Sequence, residues 1–376
     1  MGGMMNRYFY GKAGQADYTV DKMPATRMQL FFSTLRARLG GLVGVNLLTL
    51  LFAIPLAVWF AMNLSVVLTT MENYMDNLEP VQAQIEEIGF GDIADEYASY
   101  EEGAVPEDVR AAYEEKLAAY EPLAAQANEI TDSYRGEIKS YLLMFLLVAV
   151  PCLMLLGIGK TGQMYILRNW ARDDHSFVIS DFKDALKGNW KYGLLTGFID
   201  GFSLLIAYVC YVWYGSMADM KSAFFTVPQV LIVVLALIWW MMRMVMYPMM
   251  VTYDSKYKQL MQNSMLMVLA RLPFSVLAVL ASLAVPLIIA ALTLFWNFTY
   301  GLLILLGWMV LLGFSFPGFI QASYANSLFD KYLNPRIEGA EVNKGLRPDV
   351  GEDEDDDIEL TLDGRTLEEA RGEERK

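Results

Sequence analysis

The chain holds two cysteines and a single histidine among 376 residues, and these two scarcities exclude much chemistry at once. Cys152 and Cys210 both fall inside apolar runs, which rules out a disulfide framework for the polar regions and leaves them as packing thiols. His175 stands alone in a polar stretch beside Asp173 and Asp174. Without a second histidine or a polar cysteine, neither a zinc site nor a serine or cysteine triad assembles in the usual way. The glycine-rich phosphate loop of Walker type is missing too, which argues against nucleotide hydrolysis. Asp353, Asp355 and Asp357 alternate as in a calcium loop, yet Ile358 stands where the turn needs glycine and Gly364 where the loop needs its closing glutamate. The expectation is therefore no catalytic, cofactor-binding or metal-ligating residues, and no enzyme.

Charge is likewise missing from long stretches. Hydrophobic residues make up 55% of the chain, and six apolar runs stand out: 40–71, 141–159, 193–214, 227–253, 272–296 and 300–329. Each supplies the ~20 residues a spanning helix needs, and an open sheet could not satisfy its backbone in lipid. The formal net charge of -14 is concentrated in two segments. Residues 71–138 carry eighteen acids against three bases, and residues 336–376 carry fifteen against seven, so the remainder is net basic. An acidic whole with a basic membrane-facing frame does not suit nucleic acid.

The basic residues set an orientation. The N-terminal segment has Arg7, Lys12, Lys22, Arg27, Arg36 and Arg38, and the island 160–191 has Lys160, Arg168, Arg172, Lys183, Lys187 and Lys191. The two short loops on the other side hold one base, Lys221. The positive-inside bias predicts an all-α polytopic membrane protein with six transmembrane helices and cytoplasmic N and C termini. The expected divisions are a cytoplasmic segment 1–39, a first span 40–71, an extracellular insert 72–138 and a second span 139–159. A cytoplasmic amphipathic loop 160–191, four further spans within 192–329 and an acidic disordered tail 330–376 complete them. About forty residues precede the first run, too many for a simple cleaved signal, so that run is expected to stay as an anchor. Met28, Phe31, Phe32, Leu35 and Leu39 recur at helical spacing, as either a helix lying in the interface or an extension of the first span.

The insert 72–138 reads as a helical hairpin. Tyr74, Leu78, Val81, Ile85 and Ile88 form one narrow stripe, and Val109, Tyr113, Leu117, Tyr120, Ala124, Ala127, Ile130 and Tyr134 form another. Gly89 and Gly91 break the first arm, and Val105-Pro106-Glu107-Asp108 starts the second, with proline in the first turn and acids near the positive helix end. A solvated stalk, a docking surface and a cation trap are all compatible with it.

Asp200 and Arg243 interrupt the third and fourth runs at similar depth. An isolated charge there costs several kcal/mol, so a paired Asp200 and Arg243 is one expectation; the other is that Arg243 snorkels and Asp200 finds a local donor. Asn46, Asn63, Gln163 and Gln229 are expected to act as glue between helices. In the island, Phe182, Leu186 and Trp190 follow Ile179 at three- and four-residue steps with Asp181 or Ser180 as cap. They predict an amphipathic helix on the cytoplasmic face and a possible contact surface.

The strings GKTGQMYILRNWARDD and SDFKDALKGNWKYGLL resemble the central motif of the YesL family of bacterial integral membrane proteins, whose biochemical function is unknown. VNLLTLLFAIP, MYPMMVTYDSKYKQLMQNSMLMVLARLP and FPGFIQASYANSLFDKY agree in order, while the long insert and acidic tail depart from the family. The resemblance implies a multi-pass protein of the bacterial plasma membrane. Because members are often encoded beside carbohydrate ABC transporters, it also implies an accessory, assembly or regulatory role with sugar importer subunits as partners. A permease in its own right is the alternative; Leu272-Pro273 resembles the end of an ABC coupling loop, but its Glu-Ala-Ala start and spaced glycine are missing. A sensor reading a ligand through the hairpin is a further alternative. The sequence leaves the oligomeric state open.

Overall fold

The computed structural model describes residues 23–101, 104–220 and 222–348, and within them every regular element is helical. Apart from two one-turn 3-10 helices, Ala223–Phe225 and Asn334–Arg336, these are in chain order α1 (Arg27–Ile88), α2 (Phe90–Ala98), α3 (Glu107–Trp170), α4 (Val178–Met220), α5 (Thr226–Met250), α6 (Tyr257–Ala270), α7 (Leu272–Phe295), α8 (Phe298–Leu311) and α9 (Ser315–Tyr332). Among the described residues five helices are long and apolar enough to cross a membrane, and α8 with α9, bent by 55° at their junction, makes a sixth if the pair is one span. The predicted sixth run is therefore broken, and the residues that hold the break are described below.

Two compact units divide the chain. The first comprises Met1–Leu51, Ile158–Gly193 and Leu237–Lys376. Its core is built around the last turns of α3, where Met164, Ile166, Leu167 and Trp170 are buried together with Leu42 and Val45 of α1 and Phe319 and Phe329 of α9. Six methionines of the closing turns of α5 (Met241, Met242, Met244, Met246, Met249 and Met250) are buried as well, since unbranched thioethers fill irregular gaps between crossing helices. A methyl on Gly162 would sit 2.9 Å from the Phe182 carbonyl and 3.0 Å from its ring. Glycine there lets α4 approach α3 closely.

The second unit comprises Phe52–Gly157 and Leu194–Ala236 and contains the acidic hairpin. The two stripes read from the sequence do pair: Tyr74 stacks on Tyr134 at 4.3 Å, and Leu78, Val81 and Val109 are buried. The first arm stops at Gly89, whose φ of +60° suits glycine, and the second starts at Glu107 with Asp108 in its first turn. Between them α2 folds back. Phe90 stacks on Tyr120 at 4.5 Å, Tyr97 stacks on Tyr113 at 4.3 Å, and Lys116 donates to the Gly89 carbonyl at 3.1 Å. In the same unit a Cβ on Gly197 would lie 2.2 Å from the Leu153 carbonyl and one on Gly201 2.7 Å from the Val150 Cα. Gly197-Phe198-Ile199-Asp200-Gly201 is thus a small-residue seam of the kind that joins helices in lipid.

One alternative is decided and two expectations change. Residues 27–39 belong to one uninterrupted helix of 62 residues that also supplies the first arm of the hairpin, so they extend the span instead of lying apart from it. Residues 160–170 of the presumed loop are the buried end of α3, because Thr161, Gln163, Asn169 and Trp170 are almost wholly enclosed. Residues 330–348, read as part of a disordered tail, are ordered: 330–332 end α9, and the stretch that follows is docked through contacts described below; the acidic stretch 349–376, including the Asp353, Asp355 and Asp357 pattern, lies outside the described residues.

Candidate functional site

The break between α8 and α9 is organised by one side chain from α1. Asn46 is 0% exposed. Its amide nitrogen donates to the carbonyls of Met309 at 2.9 Å and Val310 at 2.8 Å, and its oxygen accepts from the amides of Phe314 at 2.8 Å and Ser315 at 3.0 Å. A helix end leaves carbonyls and the next start leaves amides without partners, and in an apolar environment each must be satisfied. Asn46 serves both ends at once. The local sequence favours the interruption, because Pro317 has no amide to offer to the carbonyl four residues back.

Below the break, α3 and α9 meet along a polar seam. The Asn326 amide donates to the Arg168 carbonyl at 3.1 Å, and Arg168 donates to the Asn169 Oδ1 at 2.9 Å. A methyl at Gly318 would lie 2.8 Å from Leu167 and 3.5 Å from the Gln163 amide, so the helices are in contact there. Buried atoms along this seam have no hydrogen-bond partner: Gln163 Nε2 on α3, and Ser315 Oγ and Asn326 Oδ1 on α9. Clustered unsatisfied groups of this kind distinguish the seam from ordinary helix packing.

At the far end of the seam charges from four segments converge. Asp330, buried, accepts from Arg27 at 3.0 Å and from the Asn334 amide, and the Tyr253 hydroxyl donates to Asn334 Oδ1 at 2.6 Å. Arg27 also donates to the Asn343 side chain. Arg172, 9% exposed, donates to the Glu341 carbonyl at 3.0 Å, and Lys344 pairs with Asp174 at 3.0 Å and with Glu341. Arg347 donates its backbone amide to the Pro24 carbonyl at 3.0 Å. Residues 337–347 are therefore a clasp tying the turn after α3 to the start of α1. The Lys344 ammonium, by hydrogen bond and charge, holds the Glu341 carboxyl below its ordinary range; Glu341 and Asp174 in turn raise Lys344. Both groups are largely solvated, so the pair steers the clasp more than it stabilises it.

The residues singled out by sequence fall as follows. Phe182 is 5% exposed and packs over Gly162, Leu186 is half-buried and Trp190 is 44% exposed, so the three do not share one free face. Asp200 is 5% exposed in the second unit, inside the Gly197 to Gly201 seam; Arg243 is half-buried in the first unit with its guanidinium 6.0 Å from the Trp240 ring. His175 is exposed and stacks on Phe177 at 5.2 Å. Of the four amides expected as glue, Asn46 bridges helices, Gln229 donates to the Tyr211 carbonyl at 3.3 Å, and Asn63 only reaches Trp59 in its own helix. Gln163 keeps an unpartnered nitrogen. Sequence reasoning missed the glycine seam, although Gly197 and Gly201 at four-residue spacing in an apolar run were its signal, and it missed the clasp, for which no local signal exists.

No curated protein and no solved structure matches this chain. Residues 140–212, the part of the α3 and α4 pair that contains the glycine seam, most of the polar seam's α3 side and the turn between them, match the model of a family described as a protein of unknown function, DUF624.

Proposed function

We propose that the chain is a non-enzymatic integral membrane protein that acts as an accessory, assembly or regulatory component of a carbohydrate ABC importer. In this reading both termini are cytoplasmic, the acidic hairpin is extracellular and the host membrane is the bacterial plasma membrane. The YesL resemblance supplies the importer connection, and the match over residues 140–212 supports that resemblance at family level. The observation that carries the non-catalytic reading is how the buried polar groups are used. Asn46 holds backbone, Asp330 is held by Arg27 and Asn334, and Arg172 ties down the 337–347 clasp. Polar side chains engaged in this way fix geometry and are not free for substrate. With Phe182 buried, the inner contact surface expected from the sequence reduces to Trp190 and part of Leu186.

The test is affinity purification of the intact protein from native membranes in mild detergent. Importer subunits should be recovered with the wild type and lost with Trp190→Ala at unchanged membrane insertion. Recovery of no importer subunit under conditions that preserve a known importer complex would remove this reading.

A second reading, a permease in its own right, is favoured by one feature. Broken spans line substrate paths in many transporters, and the break here adjoins Ser315 Oγ and the Gln163 amide nitrogen, both buried and unpartnered. Solute flux through the isolated protein separates the two readings.

A further inference from the structure

The first four turns of α4 carry a face that no part of the described protein covers. With about 100° between successive helical residues, Ile179, Lys183, Lys187, Trp190 and Lys191 fall within an arc of roughly 120°. All five are exposed, whereas Ala185 on the opposite side and Phe182 and Gly193 on the flank beyond Ile179 are buried. Trp190 and Lys191 are in cation–π distance at 5.7 Å. Next to Lys191, Tyr192 meets Tyr257 with ring centroids 5.6 Å apart, which brings the start of α6 with exposed Lys256 and Lys258 to the same end of α4. Among the described residues no carboxylate lies within salt-bridge distance of Lys183, Lys187, Lys191, Lys256 or Lys258. Asp184 and Asp254 are the exposed acids in this neighbourhood, two against five lysines.

Lysines spaced one turn apart along a helix, flanked by an exposed tryptophan and isoleucine and running directly into an apolar span, match one chemistry. Ammonium groups take phosphate oxygens, and the indole and branched alkyl side chains enter the zone between headgroup and acyl chain. We infer that this face of α4, extended by Lys256 and Lys258, is a docking surface for anionic phospholipid headgroups. A soluble acidic protein would satisfy the lysines equally well. It would not account for Ile179, 75% exposed, and Trp190 at the edge of the same face, nor for its continuity with the apolar stretch that begins at Gly193. The proposal rests on the lysines and concerns lipid; Trp190 at its edge is the residue shared with the importer contact surface, and lipid retention and subunit recovery read the two separately.

The experiment reconstitutes the full-length protein in nanodiscs of phosphatidylcholine containing a fixed fraction of phosphatidylglycerol and measures, by mass spectrometry, the lipid retained on the protein after extraction. Phosphatidylglycerol should be enriched over its mixing ratio. Each lysine strengthens headgroup binding by roughly fivefold, so in K183Q/K187Q/K191Q the retained phosphatidylglycerol should fall back close to its mixing ratio, while Arg135→Gln in the hairpin leaves the enrichment unchanged. The lysines are exposed, so the variant should melt like the wild type in pure phosphatidylcholine discs. If it does not fold, the salt dependence of the wild-type enrichment decides, because contacts to exposed charges must weaken as salt is raised. Retention at the mixing ratio, or enrichment that survives the triple substitution or high salt, overturns the proposal. Displacement of the lipid by inorganic phosphate alone would make this a free-anion site, and loss of a bound acidic protein with lipid enrichment intact would make it a protein-docking face; either result also overturns it.

Discussion

Replacing Asn46 with leucine is the sharpest perturbation available, because the two side chains are close in size and the change removes four hydrogen bonds together. The wild-type bonds run at 2.9 and 2.8 Å to the Met309 and Val310 carbonyls and at 2.8 and 3.0 Å from the Phe314 and Ser315 amides. Each buried backbone group left without a partner costs about 1–3 kcal/mol. Four stranded groups give about 4 kcal/mol at the low end of that range, even before partial relaxation of the break is considered. Whole domains have about 5–15 kcal/mol of stability, so the loss is a large share of it. Followed by thermal unfolding of the purified protein in detergent, it should lower the midpoint by on the order of 10 °C. Asn63→Leu is the control, since Asn63 donates only to the Trp59 carbonyl within its own helix. It should cost less than about 1 kcal/mol. If the Asn46→Leu and Asn63→Leu proteins melt together, the break is not held by Asn46 and the reasoning fails.

Other expectations follow from the same contacts. Arg27→Met leaves the buried Asp330 with the Asn334 amide alone and should destabilise by about 2 kcal/mol in a denaturant series, a figure already discounted for the partial exposure of Arg27. Gly197→Leu forces a side chain into a space where even a Cβ would be 2.2 Å from the Leu153 carbonyl, so a loss of about 1–3 kcal/mol and a faster rate of inactivation in detergent are expected. The clasp should respond to pH in both directions. Glu341 has a folded pKa below its ordinary 4.5, so its contribution is complete above that value and is lost as pH falls through the lower folded value. Lys344 is raised above 10.5, so its contribution is complete below that value and is lost as pH rises past it. Deuterium exchange of residues 337–347, corrected for intrinsic rates, should therefore be slowest between these limits, and a flat profile would disprove the ionic clasp.

How far the sequence carries differs by element, and the difference has a physical cause. The ends of the hairpin arms at Gly89 and Glu107 were legible because caps, glycines and prolines act within a turn of themselves. The α2 segment was not read, although Phe90 and Tyr97 lie two turns apart and both stack on the second arm. The run 300–329 looks like one span because it carries no charged residue, and the side chain that holds its break, Asn46, lies more than 260 residues away. The island was read as a loop from its charges. Its arginines sit at a buried helix end because Arg172 is answered by a carbonyl at Glu341, a partner that no local pattern reveals. The same holds for the clasp: the composition of 330–376 is dominated by its acidic end, while the part that docks does so through tertiary contacts with Arg27, Arg172 and Asp174.

The central claim, that this membrane protein assists an importer and does not itself carry solute, meets its most direct test in liposomes containing the purified full-length chain alone. Loaded with sugar and challenged with labelled sugar outside, such vesicles should show no uptake above protein-free vesicles, and Ser315→Ala and Gln163→Leu should change nothing. Protein-dependent flux that either substitution reduces would contradict the account and establish the broken α8 and α9 span as a transport path.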